Sequence, residues 1–297
     1  MKYTGNIYRP PFEARSLLLQ VTVGCSHNKC AFCTMYRDVP FSVEPLSQIE
    51  ADLKEASRYA PQVTRVFLEN GDPFVLSADK LCAIAERIYR YLPKVKTIAM
   101  YASILNIKTK TDAELLRLRK LGINELNIGV ESGLDTALIR MNKGYSRDQA
   151  IYELKRLQAA GIDYGANIIF GAAGAEKLNE NAQATASLLN ETQPYLIFTG
   201  TIHADPGCPL YEDLRSGSFK ENTVRQYLAE EEIVLSELTL KNCYYFGVHP
   251  SNIIPMQGYL PKDQQSLLRE LQHRRETLSA AALDSIPSRG DEGKILL

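Results

Sequence analysis

Apolar runs and amphipathic segments alternate along the first two thirds of the chain. The apolar runs, which predict strands, occupy residues 16–23, 64–70, 95–101, 124–130, 164–170 and 195–201. The segments between them repeat apolar residues every three or four positions, as one face of a helix does. Ser77 and Pro93 mark the start and the end of one helix, and capping-box sequences begin two more at Thr111 and Ser146. Strands that alternate with helices are typical of βαβ units, so the pattern predicts an α/β fold on a parallel sheet.

The alternation stops after Thr201. Apolar spacing predicts a long helix from Val224 to Leu238, and residues 242–261 predict an irregular, aromatic stretch. A further helix and a frayed tail are expected to follow. We therefore expect an N-terminal extension at 1–15, an α/β unit at 16–211 and a C-terminal extension at 212–297 that serves as a substrate lid. The sheet of the α/β unit is expected to form a full or partial barrel, or to stay open and doubly wound.

Composition narrows the class of protein. Of the 297 residues, 45% are apolar and 23% charged, which is typical of a soluble globular protein. No apolar run has transmembrane length and no export signal is recognisable, so we expect a cytoplasmic protein with no membrane partner. The net charge of −1 argues against nucleic acid as a partner.

Polar or glycine-rich residues follow every predicted strand. After the first strand come the cysteines, and the later loops are 69–74, 102–106, 131–133, 171–174 and 203–211. Because the carboxyl ends of parallel strands lie at one edge of a sheet, these loops are expected to share one rim, where such folds carry their chemistry.

Three of the six cysteines lie within nine residues, as Cys25, Cys30 and Cys33 in a Cys-x4-Cys-x2-Cys pattern. In a reducing compartment such a group favours metal binding over a disulfide. Three thiolates suit a [4Fe–4S] cluster with one open iron, or a zinc ion completed by His27 or water. Structural zinc sites usually pair two cysteine knuckles, and no second knuckle is present, so zinc is the less favoured reading.

The loop "GCSHNKCAFC" (24–33) resembles the cluster-binding loop of radical S-adenosylmethionine (SAM) enzymes, with one residue more than their common Cys-x3-Cys-x2-Cys spacing. The six βα units resemble the partial (β/α)6 barrel of that family, which is similar to a TIM barrel. Residues 116–174 are similar to the branch that includes oxygen-independent coproporphyrinogen oxidases. The resemblance therefore implies a partial (β/α)6 barrel with a helical and irregular C-terminal extension.

The resemblance also implies roles for particular residues. Cys25, Cys30 and Cys33 would hold three irons of a [4Fe–4S] cluster, and the amino and carboxylate groups of SAM would chelate the fourth. The implied cofactor-binding residues are Phe32, Asn70, Gly71, Asp72, Ser103, Glu131, Ser132, Arg140 and Gly171. Asp72 stands where the family has a glutamate, and Arg140 is the candidate for the SAM carboxylate. Candidates for catalysis are Cys208, Tyr244 and Tyr245, for which an inert thiol and plain aromatic packing are the alternatives.

The activity implied is that of an oxidoreductase. One electron from the cluster would cleave SAM to methionine and a 5′-deoxyadenosyl radical, which would abstract hydrogen from a small-molecule or modified-residue substrate. A flavodoxin or ferredoxin would supply the electron. Two alternatives stay open: a non-catalytic iron–sulfur or haem-handling protein on the same fold, and a zinc-stabilised α/β binding protein.

Overall fold

The computed structural model describes residues 1–289 and 295–296. Its strands are β1 (Leu17–Gln20), β2 (Thr22–Val23), β3 (Ser42–Val43), β4 (Arg65–Glu69), β5 (Thr97–Ala102), β6 (Ile123–Glu131), β7 (Asp163–Phe170), β8 (Leu196–Thr201), β9 (Cys243–Gly247), β10 (Met256–Leu260), β11 (Ser288–Arg289) and β12 (Ile295–Leu296). Its helices are α1 (Leu46–Tyr59), α2 (Ala78–Tyr91), α3 (Ile104–Lys108), α4 (Asp112–Lys120), α5 (Asp135–Arg140), α6 (Arg147–Ala160), α7 (Leu178–Thr192), α8 (Pro209–Ser216), α9 (Val224–Glu237), α10 (Gln264–Thr277) and α11 (Ala280–Leu283). The alternation of strands and helices from β4 to β8 confirms the α/β class.

The chain forms two compact units. The first comprises residues 1–28, 35–128 and 152–164, and its main strands are parallel in the order β1-β4-β5-β6. The second comprises 29–34, 129–151 and the described residues from 165 onward. Its main strands follow the order β7-β8-β9-β10, in which only the last pair is antiparallel. In both units, adjacent parallel strands are joined by helical crossovers, as βαβ units require.

The predicted helix starts are present. The Ser77 side chain accepts a hydrogen bond from the Lys80 amide and caps α2. Thr111 and Glu114 form a reciprocal capping box at α4. These local signals were readable because each uses side chains within one turn of the helix start.

The structure differs from the sequence-based expectation in three places. The first predicted strand is split, because β2 leaves β1 to pair with β3 in a separate two-stranded sheet. Residues 242–261 are not irregular: β9 and β10 lie within them and pair in antiparallel register. The short helices α3, α5 and α8 were not predicted. The expected frayed tail lies partly outside the described residues.

The strands β9 and β10 were missed because turn-forming residues interrupt the segment. Pro250 and Pro255 fall in the connection, and Pro261 follows β10. Side chains within both strands nevertheless alternate between buried and more exposed positions, which is the period-two signal of a strand.

Candidate functional site

The first cysteine follows β2, where its loop lies against the loop that follows β4. The Gly71 amide donates to the Gly24 carbonyl at 3.0 Å. A Cβ on Gly71 would lie only 2.5 Å from the Cβ of Cys25. Only glycine therefore permits this approach, and Gly71 fixes where the half-buried Cys25 side chain begins.

Asp72 holds the same loop through its side chain. Its carboxylate accepts hydrogen bonds from the Ser26 amide at 2.8 Å and the Ser26 hydroxyl at 2.5 Å. It also accepts one from the Asn106 amide nitrogen at 3.3 Å. Asn106 and Ser103 form a reciprocal capping box at the start of α3. The predicted residues Asp72 and Ser103 are thus joined through Asn106, and the buried Asp72 carboxylate positions the cysteine loop.

Asn70 and Lys110 support this arrangement through hydrogen bonds to backbone carbonyls. Asn70 has a left-handed backbone with φ 77°, and its buried amide donates to the Thr22 carbonyl at 2.8 Å. Lys110, which sequence reasoning missed, donates to the carbonyls of Phe74 and Asn106 at 2.6 and 3.3 Å. Burial lowers the pKa of Lys110 to about 8. No pattern in the sequence separated this lysine from a solvated one.

The rest of the cysteine loop is held within the second unit. The Ala31 amide donates to the Met141 carbonyl at 3.0 Å, and the Leu210 amide donates to the Ala31 carbonyl at 2.9 Å. The Asn142 side chain donates to the Lys29 carbonyl at 2.9 Å. Cys30, Phe32 and Cys33 are half-buried around these anchor points. The segment between the last two cysteines is therefore fixed by its backbone.

Glu131 ends β6 in a left-handed conformation with φ 66°, which costs energy for a residue with a side chain. Its carboxylate accepts a hydrogen bond from Lys143 Nζ at 2.9 Å, and both side chains are nearly buried. Burial disfavours the ammonium form of Lys143, but the charge and hydrogen bond of Glu131, together with the nearby Tyr145 and Cys30, outweigh it and raise the pKa of Lys143 well above its usual value. The Cys30 thiol lies within electrostatic range of Lys143. Sequence reasoning found Glu131 and missed Lys143.

Ser132 and Gly171 are linked through a buried polar network. The Ser132 hydroxyl donates to Asn181 Oδ1 at 2.5 Å, and Asn181 Nδ2 donates to Glu230 at 2.7 Å. Glu230 also accepts from the Gly171 amide and from Asn222 Nδ2, each at 2.8 Å. Burial raises the pKa of Glu230 to about 7. Two predicted cofactor-binding positions are therefore held by one carboxylate that the sequence did not indicate.

Arg140 has a different environment. It forms a half-exposed ion pair with Asp213 at 3.0 Å, and its guanidinium lies 5.5 Å from the centre of the Phe219 ring. It lines a surface cavity of about 130 Å³ together with Gly174 and Lys177. These contacts are typical of a partly solvated arginine on a helix, and a role at the SAM carboxylate stays a prediction.

The catalytic candidates make packing contacts. Cys208 is buried immediately before α8. The Tyr244 hydroxyl donates to Gln257 at 2.9 Å, and its ring lies 4.7 Å from that of Tyr259. Tyr245 is fully buried and donates to Glu231 at 2.5 Å. Each tyrosine hydroxyl thus has a protein partner, and their roles in catalysis stay predictions.

Residues 1–289 and 295–296 contain neither a preformed metal site nor a membrane-spanning helix. No group of three or more His, Cys, Asp or Glu side chains in this part of the chain is placed to hold a metal ion as it stands. No helix there combines the length and apolar character needed to cross a bilayer.

Comparison with known proteins identifies the family. The profile of the radical SAM superfamily matches residues 19–181, more than half of the chain. The heme chaperone HemW of Bacillus subtilis (strain 168) is 19% identical over 189 residues, covering 63% of this chain and 49% of HemW. The chain thus spans about half the length of this relative.

Solved structures share the fold. The methyltransferase TsrM from Kitasatospora setae, with cobalamin and a [4Fe–4S] cluster bound, matches with a TM-score of 0.55 and 13% identity, covering 68% of this chain and 39% of TsrM. The cobalamin-dependent enzyme OxsB, with SAM bound, matches with a TM-score of 0.53 and 19% identity, covering 94% of this chain and 37% of OxsB. These neighbours confirm the fold, and they bind the cluster and the SAM that the cysteine loop led us to expect. The chain belongs to the radical SAM superfamily.

Proposed function

We propose that this chain is a radical SAM enzyme that binds a [4Fe–4S] cluster through Cys25, Cys30 and Cys33 and cleaves SAM to act on a small-molecule or modified-residue substrate. The observation that carries the proposal is the cysteine loop, whose three thiols are half-buried and whose backbone is anchored at Gly24 and Ala31. Family membership supports an enzyme, and the substrate is the open part of the proposal.

The residues fit an iron–sulfur cluster by their chemistry. Three soft thiols on one loop are the donors that iron–sulfur clusters take. The close approach of Gly71 leaves Cys25 little freedom at its Cβ, and Asp72 fixes the following residue, Ser26. A loop whose backbone is fixed in this way loses less conformational entropy when its thiols bind a cluster.

The Glu131–Lys143 pair supports SAM binding better than Arg140 does. A buried ammonium next to a strained, buried carboxylate is costly unless a ligand uses it. Lys143 is the candidate to pair with the SAM carboxylate, and Glu131 the candidate to accept from the ribose or the amino group. Arg140 and its partner Asp213 are half-exposed, so solvent screens the Arg140 charge more than that of the nearly buried Lys143.

When bound, the cluster supplies the electron that cleaves SAM and so provides the radical that abstracts hydrogen. The chain's own residues bind and orient the cofactors and exclude water from them. Glu230 keeps the Ser132 hydroxyl and the Gly171 amide in fixed positions, and burial of Glu131 and Ser132 keeps water from the surface that they form. A flavodoxin or ferredoxin is the proposed electron donor.

The test is chemical analysis of anaerobically reconstituted protein. We expect about four irons and four sulfides per chain for a [4Fe–4S] cluster, an electron paramagnetic signal of the reduced protein that changes when SAM is added, and 5′-deoxyadenosine on incubation with SAM. Cys33→Ser should lose all three, whereas Cys82→Ala, in a core position of α2, should keep them. Stoichiometric zinc without sulfide would support the zinc-stabilised binding protein instead.

Haem handling is a second candidate, favoured by the similarity to HemW. It predicts a protein that binds haem in a spectroscopic titration and produces no 5′-deoxyadenosine, even in slow turnover without substrate. Formation of 5′-deoxyadenosine by the wild type but not by Cys33→Ser would decide for the enzyme.

A further inference from the structure

Four polar side chains form one row across the parallel strands of the first unit. The strand register places Gln20 opposite Glu69 and Tyr101 opposite Asn127. Leu68 lies opposite Met100, so the next residues, Glu69 and Tyr101, are also neighbours. Adjacent strands are about 4.8 Å apart and alternate residues share a face, so the four side chains line one face of β1, β4, β5 and β6.

Two members of this row lack side-chain hydrogen-bond partners in the part of the chain that the structure describes. Glu69 and Asn127 are both 0% exposed. Among the described residues, neither oxygen of the Glu69 carboxylate and neither polar atom of the Asn127 amide has a hydrogen-bond partner. Leaving a buried polar group without a hydrogen-bond partner destabilises the fold, and a charged group does so more than a neutral one. Two such groups in one row are therefore unusually destabilising for a sheet with only a structural role, since buried polar groups are normally paired.

Tyr101, which lies between Glu69 and Asn127 in the row, is partly exposed. Tyr101 is half-buried, and its ring packs edge-on against Phe67 at 5.2 Å. Gln20, at the end of the row, is satisfied by the backbone of Thr4, from which it accepts at 2.8 Å and to which it donates at 3.1 Å. The unmet hydrogen-bonding capacity is thus confined to the two positions that flank Tyr101.

The charges around the row favour a cation. Arg65, on the same face of β4, is already paired with Glu13 at 2.9 Å and with Glu125 at 2.7 Å. Arg9 acts on Glu69 only through its charge, because the Glu69 oxygens accept no hydrogen bond from any described residue. An anionic ligand would be repelled by the ionised Glu69 carboxylate, whereas a cation would stabilise that carboxylate and favour its ionisation.

We infer that Glu69, Tyr101 and Asn127 form a binding site for a protonated amine, which, if the proposed function holds, is a group of the substrate. The carboxylate and the amide oxygen accept its N–H bonds, and the face of the Tyr101 ring attracts its charge. Both unpartnered side chains gain partners when the amine binds.

The test uses n-butylamine as the probe, with 1-pentanol as its neutral counterpart and pentanoate as its anionic one. Binding to the reconstituted full-length chain is measured by saturation-transfer NMR at constant ionic strength. The variants are Glu69→Gln and Tyr101→Leu, with Glu86→Gln as the control. Glu86 is an exposed acid on α2 of the same unit. Thermal midpoints are measured for all four proteins.

We expect the amine to bind the wild type and Glu86→Gln, and to bind Glu69→Gln and Tyr101→Leu roughly tenfold or more weakly, as the loss of a charge-assisted hydrogen bond implies. The thermal midpoint of Glu69→Gln should equal or exceed that of the wild type, because no protein partner is lost. The inference is overturned by equal binding of pentanol or pentanoate, by unchanged affinity in Glu69→Gln, or by no amine signal in the wild type. SAM cleavage without substrate, assayed in the same preparation, tests the proposed function separately.

Discussion

Glu231→Gln should change how the stability of this protein depends on pH. Glu231 lies on α9, is 3% exposed, and accepts a hydrogen bond from the equally buried Tyr245 hydroxyl. Burial raises the pKa of Glu231 from 4.5 to about 7, although the Tyr245 hydrogen bond opposes the shift. The native state therefore keeps a proton on Glu231 over a pH range in which the unfolded chain has released it.

The sign and size of the effect follow from this difference. A group whose pKa is higher in the native state stabilises the fold fully below its unfolded pKa, and that stability is lost as the pH rises through about 7. At about 1.4 kcal/mol per pH unit, ionisation of Glu231 removes about 3 kcal/mol between pH 4.5 and pH 8. Glutamine does not titrate, so Glu231→Gln should gain about 2 to 3 kcal/mol relative to the wild type between pH 5 and pH 8. Its absolute stability also includes the cost of an amide NH2 beside Tyr245.

The assay is urea unfolding of the anaerobically purified protein at pH 5, 6, 7 and 8, followed by circular dichroism. Glu86→Gln is again the control, because an exposed glutamate on α2 should leave the pH slope unchanged. The free energy of unfolding of Glu231→Gln should fall less steeply than that of the wild type, and the remaining slope belongs in part to Glu69 and Glu230, whose pKa values are also about 7. Identical slopes for Glu231→Gln and the wild type would refute the reasoning.

Two further substitutions test the candidate site. Gly71→Ala places a Cβ 2.5 Å from the Cys25 Cβ, so the iron content after reconstitution should fall and the free energy of unfolding should drop by about 2–4 kcal/mol. The control is Gly217→Ala, which lies in open space at φ 78°. It should lower the free energy of unfolding by only about 1–2 kcal/mol and keep its iron. Lys143→Met leaves the buried Glu131 carboxylate unpaired, so it should cost about 3–5 kcal/mol in urea unfolding and weaken SAM binding in equilibrium dialysis. Adding Glu131→Gln should restore much of the stability but not the SAM affinity; full recovery of both would contradict a cofactor role for Lys143.

Much of the fold was predictable because its signals are local. A capping box such as Thr111–Glu114 and the apolar period of a strand or helix are written in consecutive residues. The pairing of β2 with β3 was not predictable in this way, since it depends on a partner some twenty positions along the chain. The short helices α3 and α5, of five and six residues, contain too few turns to show an amphipathic repeat.

The candidate site divides in the same manner. The metal-binding role of the three cysteines is predictable from their spacing. Glu131 is predictable as a site residue because it follows an apolar strand. Lys143 pairs with Glu131, 12 positions away. Glu230 reaches the predicted positions through Asn181 and the Gly171 amide, 49 and 59 positions away, so no local pattern marks either residue. Arg140 was predicted to bind SAM from its residue type alone. Its ion-pair partner Asp213 lies 73 positions along the chain.

The polar row of the first unit shows what kind of information was missing. Glu69 lies near the end of "TRVFLEN" and Asn127 in the middle of "NELNIGV", and either alone looks like an isolated polar residue in an apolar strand. Only the register, which sets Glu69 beside Tyr101 and Tyr101 beside Asn127, turns two isolated interruptions into one continuous surface. Register is fixed by packing between strands and not by the strands' own sequences. The role of a polar residue inside an apolar strand therefore depends on which residues the strand register places beside it. Among the described residues, those beside the Glu69 carboxylate and the Asn127 amide form no hydrogen bonds with them.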